Sequence, residues 1–239
     1  MFQAVKARYI ITPNQSFLTN SAVIINNNII SEIIPNYQLA KKKYKVIDLK
    51  NSVLLPGFIN SHVHLELHWT QKLLNPFNSF PDWLNQIISL KKNFDNSKIS
   101  NSVKKGLEES LNSGVTTIGE ISSYDGLDYK PIIKSCIRTA YFYEIANSTI
   151  SNINSKFLQG LLQNTNSLFN LKIFPHSIYS LDTRSLKKVL AFAKKHHTQL
   201  GIHLSESVDE INYAMKKKNN LEDKVFSKFN SKPKFDSCP

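Results

Sequence analysis

From Pro56 onward, short runs rich in β-branched residues alternate with stretches of helical spacing, and that alternation admits few folds. A strand that feeds a helix and then another strand packs as a parallel sheet or barrel. Strands are expected over residues 57–62, 115–121, 139–144, 171–174 and 199–204. Between the first two, residues 82–94 place Trp83, Ile87 and Leu90 at helical spacing. Residues 100–113 do the same with Val103, Leu107 and Leu111, and stop at Gly114, a residue suited to ending a helix. Shorter helices are expected over 131–136 and 154–163. Asp182 can cap a helix running to His197, with Leu186, Val189, Leu190 and Phe192 as its apolar positions. A last helix is expected over 208–218, and the polar tail, 227–239, shows no structural pattern.

Residues 1–55 differ in texture. Residues 4–12 read as one apolar strand, 21–26 and 29–34 as two more around the turn Asn26-Asn27-Asn28, and 46–55 as one or two further strands. A complete eight-unit barrel takes roughly 250 residues, so residues 56–239 have room for five or six units. The predicted architecture is α/β: an incomplete (β/α)8 TIM-type barrel of about five βα units over 56–239, preceded by a small β-sandwich segment over 1–55.

Lys and Arg outnumber Asp and Glu by 30 to 18, for a net charge of +12. The lysines are spread along the chain, and short runs such as Lys41 to Lys43 and Lys216 to Lys218 fall in surface stretches. No aromatic-basic module accompanies them, which favours a solvated lysine-rich surface over nucleic-acid binding. No apolar run reaches the roughly 20 residues of a membrane span, and the first residues lack a signal-peptide pattern. Cys136 and Cys238 lie far apart and form no metal-type pair. A reduced, cytoplasmic setting is the expectation.

The chain has seven histidines, and four of them follow the predicted strands. His62 and His64 close the first, His176 follows the fourth, and His203 lies at the end of the fifth. In a parallel barrel the C-terminal strand ends share one face, where active sites are built. Residues i and i+2 of an extended strand point the same way, so His62 and His64 can share one metal ion. Imidazole suits zinc, iron, nickel or copper. His203 is the candidate third ligand from another strand end. Glu206, three residues on, can take a proton from a metal-activated water and pass it to a leaving group. His196 and His197 end a helix and read as structural, and His68 reads as a loop residue. Glu66 is open between pocket and surface. Glu120, at the end of the second strand, is open between a group near the metal and a buried hydrogen-bonded carboxylate. Trp83 reads as core.

Leu54-Leu-Pro-Gly-Phe-Ile-Asn-Ser-His-Val-His64 resembles the first-strand signature of the amidohydrolase superfamily, which joins a β-sandwich segment to a (β/α)8 barrel. His203-Leu-Ser-Glu206 looks like the fifth-strand motif of its deaminase and chlorohydrolase branch. Gly114-Val-Thr-Thr-Ile-Gly119 is similar to the second-strand segment, and Pro175-His-Ser-Ile-Tyr-Ser180 to the fourth-strand loop. The resemblance implies a divalent metal, zinc or iron, on His62, His64 and His203. It also implies Glu206 as proton shuttle and His176 as a substrate contact. The segments Phe80-Pro-Asp-Trp-Leu84, Ile118-Gly-Glu-Ile-Ser-Ser123 and Tyr141-Phe-Tyr-Glu144 look closest to the enzymes that deaminate aminofutalosine in menaquinone synthesis. The implied substrate is therefore a small molecule, aminofutalosine or a related adenine nucleoside.

The same pattern calls for a histidine after the sixth strand and an aspartate after the eighth. No histidine follows His203, and Asp209, Asp223 and Asp236 are not placed at such a strand end. The expectation is a C-terminally truncated deaminase. Its alternatives are a non-catalytic remnant and one half of a split enzyme, whose partner chain would supply the missing barrel strands.

Overall fold

The computed structural model describes residues 2–226, and the tail expected to be irregular, 227–239, lies outside the described residues. Its contacts divide the chain into two compact units, with the boundary between Phe58 and Ile59.

The first unit is one sheet organised on β1 (Phe2–Ile11), which pairs antiparallel with β2 (Phe17–Asn26). β2 pairs antiparallel with β3 (Ile29–Pro35) through the asparagine turn, where Asn27 takes φ 57°. Asn tolerates that left-handed conformation better than most residues. β4 (Lys45–Asp48) and β5 (Val53–Leu54) both run parallel to β1. Ala4, Ile24 and Ile34 form the buried centre of this sheet, with Leu39 and Tyr44 packed against it.

The second unit begins with β6 (Phe58–Val63), followed by α1 (Phe80–Lys91) and α2 (Asn96–Asn112). Then come β7 (Val115–Ser122), α3 (Tyr129–Lys134), β8 (Arg138–Ile145) and α4 (Lys156–Gln163). β9 (Phe169–Pro175), α5 (Thr183–Lys195), α6 (Val208–Ala214) and α7 (Asn220–Lys224) complete the described elements. The sheet order β6-β7-β8-β9 follows the chain, and β7–β8 and β8–β9 are parallel. The helix starts are written locally: side chains of Asp95, Ser155, Asp182 and Ser207 accept from the backbone N–H three residues on. Ile99, Val103 and Leu107 of α2 pack with Ile118 of β7, Tyr141 and Tyr143 of β8, and Leu171 and Ile173 of β9. Leu111 and Leu190, counted as apolar stripe positions, are exposed instead. Among the described residues no helix is long and apolar enough to cross a membrane.

β6 and β7 approach closely because of one residue. A Cβ on Gly119 would lie 2.1 Å from the backbone oxygen of Ser61, a separation no side chain can occupy. Glycine is the residue that permits such backbone contact.

The expected fifth strand, 199–204, is a correction. It lies beside β9 but forms only isolated parallel bridges, Ile173 with Leu200 and Ser177 with His203. The ladder starts normally: Ile173 N–H donates to Gln199 O at 3.1 Å, and Gly201 N–H to Ile173 O at 3.1 Å. Pro175 then has no N–H to give, and the next bond, from His203 N–H, goes to His176 O at 2.9 Å. The expected helix over 208–218 is also shorter, ending at Ala214.

Candidate metal centre and active-site cavity

The exit of β6 brings His62 and His64 together, with ring centroids 5.2 Å apart. The bridge of 199–204 to β9 brings His203 to them, at 5.1 Å from His62 and 5.5 Å from His64. One ring nitrogen from each of the three lies within 4.8 Å of the others. Ligands of one tetrahedral ion at about 2.1 Å stand roughly 3.4 Å apart, so modest side-chain rotation suffices to close this set on a cation. The donor set fits a divalent metal of the zinc or iron type.

Electrostatics favour the ligating form. His64 is pulled down to about 3, by burial first and then by the neighbouring imidazoles of His203 and His62. Partial burial and His203 lower His62 as well. Both are therefore neutral at pH 7, and a neutral imidazole has a free lone pair to offer.

His203 is buried, and its Nδ1 lies 3.0 Å from Glu206 Oε1. Burial pushes the Glu206 carboxyl up, but the hydrogen bond and charge of His203 outweigh this and leave it below its usual value. Ser205 and Glu206 form a turn whose N–H groups donate to the Glu210 carboxylate at 3.0 and 2.8 Å. That turn holds Glu206 against the histidines. Phe174 stands edge-on to His203 at 4.7 Å, in space left open by Gly201, where a Cβ would lie 2.8 Å from the Phe174 ring.

His176 follows β9, with its ring 5.3 Å from that of His203. Its Nδ1 is 2.9 Å from the hydroxyls of both Ser177 and Ser180. This leaves Nε2 for the cavity, 4.0 Å from Glu144 Oε2. Burial lowers the His176 pKa. Glu144, His176 and His203 make a second group of mutually close ligand atoms.

His62, His64, Glu144, His176, His203 and Glu206 open into one cavity of about 810 Å³. Its far wall is Phe80, Trp83, Leu84, Ile87 and Ile88 of α1 with Phe226, and Lys91 also reaches it. The structure thus brings together His62, His64, His176, His203 and Glu206. It places Trp83, read as core, on the cavity wall. Asp209 lies apart, accepting from Asn220 N–H at 2.8 Å. Glu144 and Lys91 were not singled out in the sequence. Glu144 carries the signal used for the histidines, a polar residue at a strand end, but Lys91 has only its helical phase, which many surface lysines share.

Residues 53–228 match the profile described as Amidohydrolase family. Among curated proteins, the chain is 31% identical over 212 residues to an aminodeoxyfutalosine deaminase of a Nitratiruptor species, covering 85% of this chain and 51% of that protein. It is 26% identical over 203 residues to a 5'-deoxyadenosine deaminase of Methanococcus aeolicus, covering 79% and 47%. The chain therefore spans about half the length of the curated relatives it matches. Among solved structures, the Helicobacter pylori aminofutalosine deaminase in complex with methylthio-coformycin superposes with a TM-score of 0.82 at 23% identity. That alignment covers 98% of this chain and 58% of the other.

Proposed function

Because the chain belongs to the amidohydrolase family, we propose that its second unit carries the metal-binding half of a deaminase acting on an adenine-type ring. The observation that carries this reading is the convergence of His62, His64 and His203 beside Glu206 at the mouth of one cavity. These three imidazoles would hold a divalent metal, zinc or iron. Such an ion supplies Lewis acidity that lowers the pKa of water towards about 7.

The chain's own groups account for the proton movements. Glu206, kept ionised by His203, accepts a proton as water adds to the ring carbon bearing the amino group. It returns that proton to the departing nitrogen as the C–N bond breaks and ammonia leaves, and the remaining proton of the added hydroxyl passes to the adjacent ring nitrogen, so the products are the ring ketone and ammonia. His176, neutral and oriented by Ser177 and Ser180, presents Nε2 to the substrate. The apolar side chains of α1 and Phe226 line the rest of the cavity. Within the branch, aminofutalosine is the substrate proposed, a step of menaquinone synthesis. The match to the Nitratiruptor protein and the segments around Trp83, Glu120 and Glu144 support it.

A second reading is an inactive remnant, or one half of an enzyme completed by another chain. It is favoured by the exposure of Leu200, Ile202 and Leu204 on the segment that lies beside β9, an apolar row that further barrel structure would cover. One experiment separates the two. The full chain is loaded with zinc or iron, and metal content and ammonia release from aminofutalosine are measured. Stoichiometric metal with turnover supports the deaminase, and aggregation without metal supports the remnant. His62→Ala should weaken metal binding by more than the 10- to 100-fold typical of outer partners and abolish turnover. Retained activity in this variant would defeat the assignment.

A further inference from the structure

Two carboxyl side chains that the proposed chemistry does not use sit directly behind His64. We infer that Glu120 and Glu66 are positioning residues, a reciprocal clasp that locks the exit of β6 to the exit of β7 and fixes the aim of His64. The inference rests on the metal-site reading above.

The geometry is specific. Glu120, near the end of β7, accepts the backbone N–H of Leu65 on both carboxyl oxygens, at 3.2 and 3.1 Å. Glu66, just past β6, reaches the other way. Its Oε2 accepts from Ser123 N–H at 2.8 Å and Ser123 Oγ at 2.9 Å, and its Oε1 from Tyr124 N–H at 3.2 Å. Each strand exit thus donates to an acid carried by the other, and both side chains are fully buried. The carbonyls of the same turn are held from α2, where Ser102 Oγ donates to Leu65 O at 2.8 Å and Glu66 O at 3.1 Å.

His64 needs this support because its backbone has left the strand. Its φ of −115° and ψ of 79° belong to neither helix nor sheet. No ladder partner can therefore hold the peptide that follows it, and Glu120 does so instead. Two buried acids are an expensive way to join strands that apolar side chains could pack. They are well suited to fixing a ligand's direction, the role of polar groups behind metal-binding histidines. The clasp also reaches the cavity: Lys91 Nζ donates to Ser123 Oγ at 2.8 Å.

The test is metal affinity, read without turnover. The metal-free full chain and its variants are titrated with Co(II) against a chelator, and the ligand-field absorption of the bound ion is recorded. Glu120→Ala should weaken Co(II) binding about 10- to 100-fold and shift the absorption band. Glu120→Gln keeps an oxygen for Leu65 N–H and should restore affinity to within about threefold, since outer partners act through orientation. Should Glu120→Ala fail to fold, Glu66→Gln, which leaves one of two acceptor oxygens, is expected to weaken binding several-fold. Wild-type affinity in a folded Glu120→Ala or in Glu66→Gln would overturn the clasp, as would Glu120→Gln binding no better than Glu120→Ala. Absence of Co(II) binding by the wild-type chain would instead remove the metal-site reading, and the clasp with it.

Discussion

The second unit holds two clusters of titratable groups, and burial drives them towards neutrality by opposite routes. In the imidazole cluster, burial and neighbouring rings push His62, His64 and His176 down. In the carboxyl cluster, burial and then the nearby Asp128 carboxyl push Glu66 and Glu120 well above the usual range, and burial raises Asp128 to about 6. Desolvation disfavours whichever form is charged. A neutral imidazole offers a lone pair to a cation, whereas the buried Glu66 and Glu120 carboxyls accept from backbone N–H groups. Glu206 marks the contrast. It is a glutamate, yet its pKa moves the other way, because its near neighbour is His203 rather than another acid. Neighbour identity, not residue type, sets the direction in which each of these carboxyls shifts.

The largest perturbation breaks both clusters at once. Gly119→Ala would force a Cβ to 2.1 Å from Ser61 O and 2.7 Å from Ser61 C, both backbone atoms that cannot swing away. A loss of about 3 kcal/mol or more is expected, read as a fall in the urea midpoint together with loss of metal binding. An unchanged midpoint would show that β6 and β7 can separate without harm. Next in size, Glu206→Gln tests the carboxyl that sides with the imidazoles. Turnover should fall on the order of 10²- to 10⁴-fold, with metal stoichiometry retained. Loss of metal instead would make Glu206 a ligand or a folding residue.

The smallest effect is a change of slope with pH. A folded pKa near 3 for His64, against about 6.5 unfolded, means the unfolded chain binds more protons in between. Stability from this group is therefore lost as pH falls from about 6.5 towards 3. Asp128 has the opposite sign. Its folded value of about 6 exceeds the unfolded value of about 3.9, so its contribution is present at low pH and lost as pH rises through 6. The two slopes oppose each other between about pH 4 and 6. Asp128→Asn keeps an oxygen for Tyr141 OH and Ser122 Oγ and removes the titration. The melting temperature of the metal-free variant should fall more steeply from pH 6 to pH 4 than that of the wild type. Parallel curves would show that Asp128 does not titrate there.

Much of the fold was legible because its signals are local. The helix start at Asp182 is decided within three residues, and β7, β8 and β9 lie where β-branched and aromatic runs placed them; the caps at Asp95 and Ser155 lie away from the starts expected at 100 and 154. The fifth strand misled because Pro175, which interrupts its ladder, lies on its neighbour rather than in the strand. Trp83 misled because helical phase shows which residues share a face, but not whether that face meets core or cavity.

By itself, the sequence determined the strand–helix alternation, the placing of His62 and His64 at the exit of β6, and the presence of His176 after β9 and of His203 and Glu206 after α5. Each of these follows from bond geometry over a few residues. The tertiary structure decided which neighbour each titratable group meets. Glu66 and Glu120 bond to partners 55 to 58 residues away along the chain, and Glu144 meets His176 only because β8 and β9 run side by side. Charge state depends on distance through space and on exclusion of water, and neither is set by position along the chain.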